Sequence, residues 1–250
     1  DRNSVSYDDF RDYRGSVEAL EDLAAYQLFY PRPLLSGAEA GIRVQGNQVT
    51  PNLFPVLGVA PAIGRAFRWE EAVLGGPAVT ILSHAFWQGQ FGGAEDIVGT
   101  VISLDGQPTE VVGVMPEGFA FPSADVQLWL PTREGEGATQ GRGNNNFFLI
   151  GRLKEGVGLD VAQAQVDAVA SQIQEANPDY AEWFHWLQPL HTVLFGDMKT
   201  TLLVLLGIVT LVPLVACANV ASLALARATA RTSELATRRA LGASRGRVVR

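Results

Sequence analysis

The chain has 250 residues, 19 Lys and Arg against 26 Asp and Glu, a formal charge of −7 and one cysteine. A single cysteine excludes a disulfide framework, so whatever lies outside a membrane is held by an ordinary apolar core. The charge is split by position: residues 1–226 carry 12 basic against 25 acidic side chains and residues 227–250 carry 7 against 1, so −13 and +6 make the total of −7. An acidic bulk has no affinity for nucleic acid, whereas a basic tail suits an anionic membrane surface.

Ser6 followed by Tyr7, Asp8 and Asp9 predicts a short helix with a serine cap and acids in its first turn. Val17 to Tyr26 either continues as a second helix or leads into a strand at Ala24–Tyr30, stopped by Pro31 and Pro33. The alternation in residues 41–49 predicts one half-exposed strand. Thr50-Pro51 then predicts a helix start, a hydroxyl cap with proline at the first position, running through Leu53, Phe54, Val56 and Leu57 to Gly58. Residues 59–77 read as a Gly- and Pro-punctuated connection.

Ala78–Leu82 is a compact buried strand, and Ser83 caps a helix that ends at Gly92-Gly93. Val101–Leu104, Asp105-Gly106 and Thr109–Val114 predict a hairpin with a tight two-residue turn. A strand follows at Val126–Pro131, a Gly- and Asn-rich mobile loop at Arg133–Asn146, and a strand at Phe147–Leu153. Leu159–Ala176 is an amphipathic helix, with Leu159, Ala162, Val166, Val169, Ala170 and Ile173 on one face and Asn177-Pro178 as its stop. The aromatic stretch Trp183–Val193 is expected to be a last strand. The fold expected outside the membrane is α+β, built of short elements.

Thr200–Ala226 contains no charged residue and, at about 1.5 Å per helical residue, spans a hydrocarbon core of about 30 Å with some tilt. Seven arginines follow it, which marks residues 227–250 as cytoplasmic and residues 1–199 as extracytoplasmic. Asp1 opens a polar stretch with no initiator Met and no apolar signal region, so a removed signal or an earlier membrane helix is expected before it, in a larger membrane protein. Within the span, Pro213 is expected to bend the helix. Ala218, Ser222 and Ala226 at four-residue spacing, with Asn219 beside them, are expected to pack against a neighbouring helix.

No catalytic constellation is visible. His84, His185 and His191 are scattered without metal-ligand spacing, Ser83 has no nucleophile-elbow context, and the glycines at 135, 137, 141 and 143 lack the Lys-Ser/Thr of a phosphate loop. No cofactor or metal site is therefore expected in this chain.

Four stretches carry a family resemblance. Asp96–Pro116, with its Asp105-Gly106 hairpin, and the preceding ILSHAFWQGQFGG at 81–93 resemble the MacB-type periplasmic core domain. ACANVASLALAR at 216–227 and ELATRRALGAS at 234–244 are similar to the FtsX-like permease segment that follows that domain. The resemblance implies a type VII ABC transporter permease at the bacterial inner membrane. Its external domain, residues 1–199, would comprise a discontinuous Porter-like part and an inserted Sabre-like α/β part at about 60–145. Residues 200–226 would be a membrane helix and 227–250 the start of a cytoplasmic coupling helix. It also implies export driven by ATP bound to a separate cytoplasmic ABC ATPase, a permease dimer, membrane lipid, and a periplasmic adaptor or substrate protein as partners. Glu234, Leu235, Arg238, Arg239, Leu241 and Gly242 would then form the docking surface for the ATPase. The alternative from another class is a membrane-anchored extracytoplasmic sensor signalling through one helix; an anchored hydrolase has no support in the residues.

Overall fold

A computed structural model describes residues 4–27, 32–36, 41–135, 139, 141–178 and 185–240, of which 194–201 and 229–240 are described by their backbone. The chain forms two units, residues 1–187 and 188–250. The first is mixed α+β and the second holds one long apolar helix.

In the first unit α1 (Tyr7–Ser16) opens as its sequence predicts, with a reciprocal cap: Ser6 Oγ accepts from Asp9 N at 3.1 Å and Asp9 Oδ2 accepts from Ser6 N at 3.2 Å. The ambiguous stretch after it is a strand, β1 (Leu20–Gln27). Residues 28–31, including Pro31 and the far end of the expected Ala24–Tyr30 strand, lie outside the described residues. The expected single strand over 41–49 is broken into β3 (Ile42–Arg43) and β4 (Gly46–Val49). β3 pairs antiparallel with β2 (Leu34–Ser36), whereas β4 pairs parallel with β9 (Leu128–Pro131). One alternating run thus serves three neighbours, β2 through β3 and both β1 and β9 through β4, with Val44 and Gln45 between the two strands.

The helix expected at Thr50-Pro51 begins later, as α2 (Leu53–Leu57), with Pro51 in the turn before it. The reason is competition from β1. Thr50 Oγ1 accepts from Ala25 N at 2.9 Å and Asn52 Nδ2 donates to Leu23 O at 2.8 Å, so both potential cap side chains are used on the strand. Gly58, left-handed at φ 73°, ends α2. The connection after it contains β5 (Ile63–Gly64) and a 3-10 turn at Trp69–Glu71, neither of which the punctuation predicted.

β6 (Val79–Leu82), α3 (His84–Phe91) capped by Ser83 Oγ, and the hairpin β7 (Val101–Leu104) and β8 (Gln107–Val114) follow their sequence signals closely. Asp105 and Gly106 both take positive φ, 50° and 81°, which is what a tight turn matched to strand twist requires. Among the described residues ten strands form one sheet, in the order β10-β1-β4-β9-β6-β8-β7-β2-β3 with β5 against β8, where β10 is Phe147–Leu153. α4 (Leu159–Ala176) buries Ala162, Val166, Val169 and Ile173 as its spacing predicts, half-buries Ala170, and leaves Leu159, expected on the same face, exposed at its first turn. The expected last strand at Trp183–Val193 is absent from the described part: residues 185–189 belong to no element and Leu190 starts α5 (Leu190–Ala240).

Period-two alternation divides the core. Ile81 and Trp129 turn to one face of the sheet with Phe54, while Leu82 and Leu128 turn to the other with Phe86. A third cluster is made by the two ends of the first unit: Val5, Tyr7, Phe10, Tyr13 and Leu23 meet Phe147, Ala162, Val166, Val169 and Ile173. Burial on both faces explains why VTIL in β6 is a continuous run with no polar face.

Candidate functional site

In the second unit the 27 residues Leu202–Ala228 are long and apolar enough to cross a membrane, and each of them is exposed. An apolar surface on every side of a helix belongs in lipid or against other helices. Pro213 lies inside the helix, and Thr210 Oγ1 donates to the carbonyls of Leu206 and Gly207 at 3.0 and 2.9 Å in the turn before it. Ala218, Ser222 and Ala226 recur every four residues on one stripe, with Asn219 beside it, all exposed. Glu234, Leu235, Arg238 and Arg239 fall within the helical backbone of α5, while Leu241 and Gly242 lie outside the described residues.

In the first unit polar groups converge on α1. Its apolar stripe, Tyr7, Phe10 and Tyr13, faces the core formed by the chain ends, and charged flanks lie on either side of that stripe. On the acidic flank Arg142 Nη1 donates to Asp9 Oδ1 at 2.7 Å and Arg142 Nη2 to Asp12 Oδ2 at 2.5 Å. The Asp9 side chain is 2% exposed, so Arg142 neutralises a buried charge. Burial lowers the basicity of Arg142, but the hydrogen bonds and charges of Asp12 and Asp9 outweigh it and hold its pKa above the ordinary value. The segment expected to be a mobile loop, 133–146, is therefore pinned at Arg142; residues 136–138 and 140 lie outside the described residues. Composition signalled the loop's turns, but no local pattern announces that its arginine reaches a helix 130 residues earlier.

On the basic flank Arg11 pairs with Glu134 at 2.8 Å, and Arg14 Nε donates to Asp22 at 2.9 Å with its guanidinium 4.5 Å from the Trp69 ring centre. These residues, with Tyr7, line an open groove of about 460 Å³ between α1, β1 and the Trp69 turn. Burial tends to raise the Asp22 pKa, but bonds from Arg14, Asn52 and the Leu23 N–H prevail and hold it below the usual carboxylate value. Burial, aided by the Glu134 charge, pushes the Tyr7 phenol up to about 12.

The histidines have separate environments. His84 is edge-on to Trp87 and His191 is exposed on α5. His185 is different: its Nδ1 is 2.8 Å from Tyr13 Oη, its ring is edge-on to Tyr13, and burial lowers its pKa against the opposing pull of Asp9. Gln163 of α4 bridges the same segment, Nε2 donating to His185 O and Oε1 accepting from Leu187 N, both at 2.8 Å. Among the described residues no group of three His, Cys, Asp or Glu side chains comes together as a metal site.

Residues 1–169 match the model of the MacB-like periplasmic core domain. The macrolide export ATP-binding/permease protein MacB of Escherichia coli K12 and MacB 1 of Escherichia coli O1:K1 are each 29% identical to the chain over 209 residues, covering 81% of it and 31% of the relative. The chain thus spans about a third of the length of the curated relatives it matches. Among solved structures, the extracellular domain of the ABC-type transporter YknZ from Gram-positive bacteria matches with a TM-score of 0.55 at 18% identity, over 74% of this chain and 90% of that one. The periplasmic region of MacB from Actinobacillus actinomycetemcomitans matches with a TM-score of 0.54 at 13% identity, over 70% and 75%. At such identities the two structures establish the shared fold.

Proposed function

The chain belongs to the MacB-like periplasmic core domain family, and we propose that it is the external domain, one membrane helix and the beginning of the cytoplasmic segment of a type VII ABC transporter permease. It converts ATP hydrolysis on a separate cytoplasmic ABC ATPase into movement outside the bacterial inner membrane and so drives export. The observation that carries this reading is α5. Its 51 residues run without interruption from Leu190 through the apolar span into the arginine-rich segment, about 77 Å of helix at 1.5 Å per residue. A continuous helix transmits displacement or rotation along its axis, whereas a stop-transfer anchor requires only the span.

The other parts of the reading follow from it. Residues 1–199 are extracytoplasmic and 227–250 cytoplasmic, by the arginine bias. The two ends of the external domain are assigned to the Porter-like part and the middle, about 60–145, to the Sabre-like insertion, as the resemblance implies. Ala218, Asn219, Ser222 and Ala226 pack against another membrane helix, in this subunit or in the partner of a permease dimer, and Pro213 bends α5 there. A periplasmic adaptor or substrate protein is met by the external domain. Glu234, Leu235, Arg238, Arg239, Leu241 and Gly242 dock on the ATPase, with Glu234 making a charge-assisted contact to a basic group.

The test is made in the intact transporter. Glu234→Arg and Leu241→Asp are expected to leave insertion and protein amount unchanged and to reduce ATP hydrolysis by the assembled complex, while Arg250→Ala changes little. If both variants hydrolyse ATP and assemble with the ATPase at the parental level, the tail is only a topological anchor. Orientation is checked separately with an impermeant thiol reagent, Cys217 replaced, and single cysteines at Ser123 and Ser244. Labelling at 123 and protection at 244 is expected, and the reverse overturns the topology.

A further inference from the structure

Helix α1 holds both the segment leading into α5 and loops of the domain's middle. At one edge of its apolar stripe Tyr13 Oη meets His185 Nδ1 at 2.8 Å, and five residues later the chain enters α5 at Leu190. Gln163 holds that segment from the other side through both of its amide atoms. One turn away on α1, Asp9 and Asp12 take the two arms of Arg142, and on the opposite flank Arg11 and Arg14 meet Glu134 and Trp69. The reciprocal Ser6–Asp9 cap makes the ten-residue helix stiff at its first turn, and Asp9 serves cap and Arg142 together.

We propose that α1 is a relay: motion of the segment at His185–Leu187 passes through the Tyr13–His185 contact into α1 and through the Asp9–Arg142–Asp12 bridge into the middle of the external domain. This rests on the proposed function, which supplies the motion, and adds the route by which it reaches the middle. Tyr13, His185 and Arg142 are positioning residues. The contacts depend on named polar atoms, so conservative changes at Tyr13 and Arg142 weaken the route while the apolar stripe keeps α1 in place.

The experiment uses the intact transporter assembled with its ATPase in lipid nanodiscs, Cys217 replaced by serine, and spin labels on cysteines at Ser123 in the middle and Gln172 on α4. The distance distribution is read without nucleotide and with ATP plus vanadate. The parent is expected to shift on trapping. Tyr13→Phe, which keeps the ring contact and removes the hydroxyl, and Arg142→Lys, which keeps the charge and removes the two-armed bridge, are each expected to reduce the shifted fraction about fivefold. Because the two contacts act in series, the double variant is expected to lose no more than either single one. Two independent structural contacts would instead multiply, to about twenty-five-fold. Melting curves establish that each variant is folded. If Arg142→Lys is not, Asp12→Asn takes its place, with the same expected loss. A full shift in a folded single variant, or multiplied losses in the double, overturns the relay while the proposed function stands; a parent that does not shift on trapping removes the proposed function and the relay with it.

Discussion

α4 and α5 are both rich in Leu, Val and Ala, yet they solve opposite problems. α4 buries a stripe of four residues, Ala162, Val166, Val169 and Ile173, and turns polar side chains outward. α5 from Leu202 to Ala228 exposes apolar side chains on every face. The first pattern specifies a protein neighbour on one side and water on the other. The second specifies a surrounding that is apolar throughout. The same residue types therefore have different consequences: in the first unit a charge fails where it meets the core, and along Leu202–Ala228 it fails wherever the surrounding is apolar.

The sharpest way to break that comparison is to damage each solvent regime separately. Trp129 is fully buried, donates through Nε1 to Phe121 O at 3.0 Å and stacks edge-on to Phe54 and Phe119. Trp129→Ala is expected to cost about 3–5 kcal/mol of external-domain stability. Thermal unfolding of the detergent-solubilised chain should show it, with membrane insertion unchanged. Leu211→Lys should do the converse, reducing insertion at a cost of about 2.5–3.5 kcal/mol while leaving the external melting transition in place. A glycosylation-mapping insertion assay reads the first effect. If Leu211→Lys inserts normally, the description of α5 as lipid-facing at that position is wrong.

A smaller effect is expected at α1. Ser6→Ala removes one half of the reciprocal cap and should lower stability by about 1 kcal/mol. Ser6→Asp, which keeps an acceptor for the Asp9 N–H, should recover part of it, and denaturant titration distinguishes the two. The smallest expected effect is on pH. Burial holds His185 below its ordinary pKa of 6.5, so the unfolded chain takes up its proton first on acidification. Its contribution is fully present above pH 6.5 and is lost as pH falls below it. Melting temperatures between pH 8 and 5 are expected to fall more steeply for the parent than for His185→Gln. Parallel curves would mean that His185 titrates alike in folded and unfolded chains.

Much of the fold was legible because its signals are local. The Ser6 cap, the Asp105-Gly106 turn, the Ser83 cap, the α4 stripe and the uncharged run in α5 each depend on residues within a few positions of one another, and the structure places each where the sequence does. The same holds for the resemblance at 81–93 and 96–116, contiguous stretches that fall within the matched residues 1–169. Thr50 misled because its side chain had two uses, and β1 claimed it before the helix did. Trp183–Val193 looked like a strand by its aromatic content, yet its described part leaves the sheet and enters α5.

Local signals therefore specify the apolar span, the arginine run after it, the alternating strands and the amphipathic helices, since hydrophobic periodicity and caps act over one or two turns. Folding at long range set β4 parallel to β9, divided residues 41–49 among β1, β2 and β9, and brought both Arg142 and His185 onto α1. Those outcomes depend on pairs separated by up to 172 residues. Their energies arise only once the chain has folded enough to bring the partners into one low-dielectric place, and no short stretch encodes them.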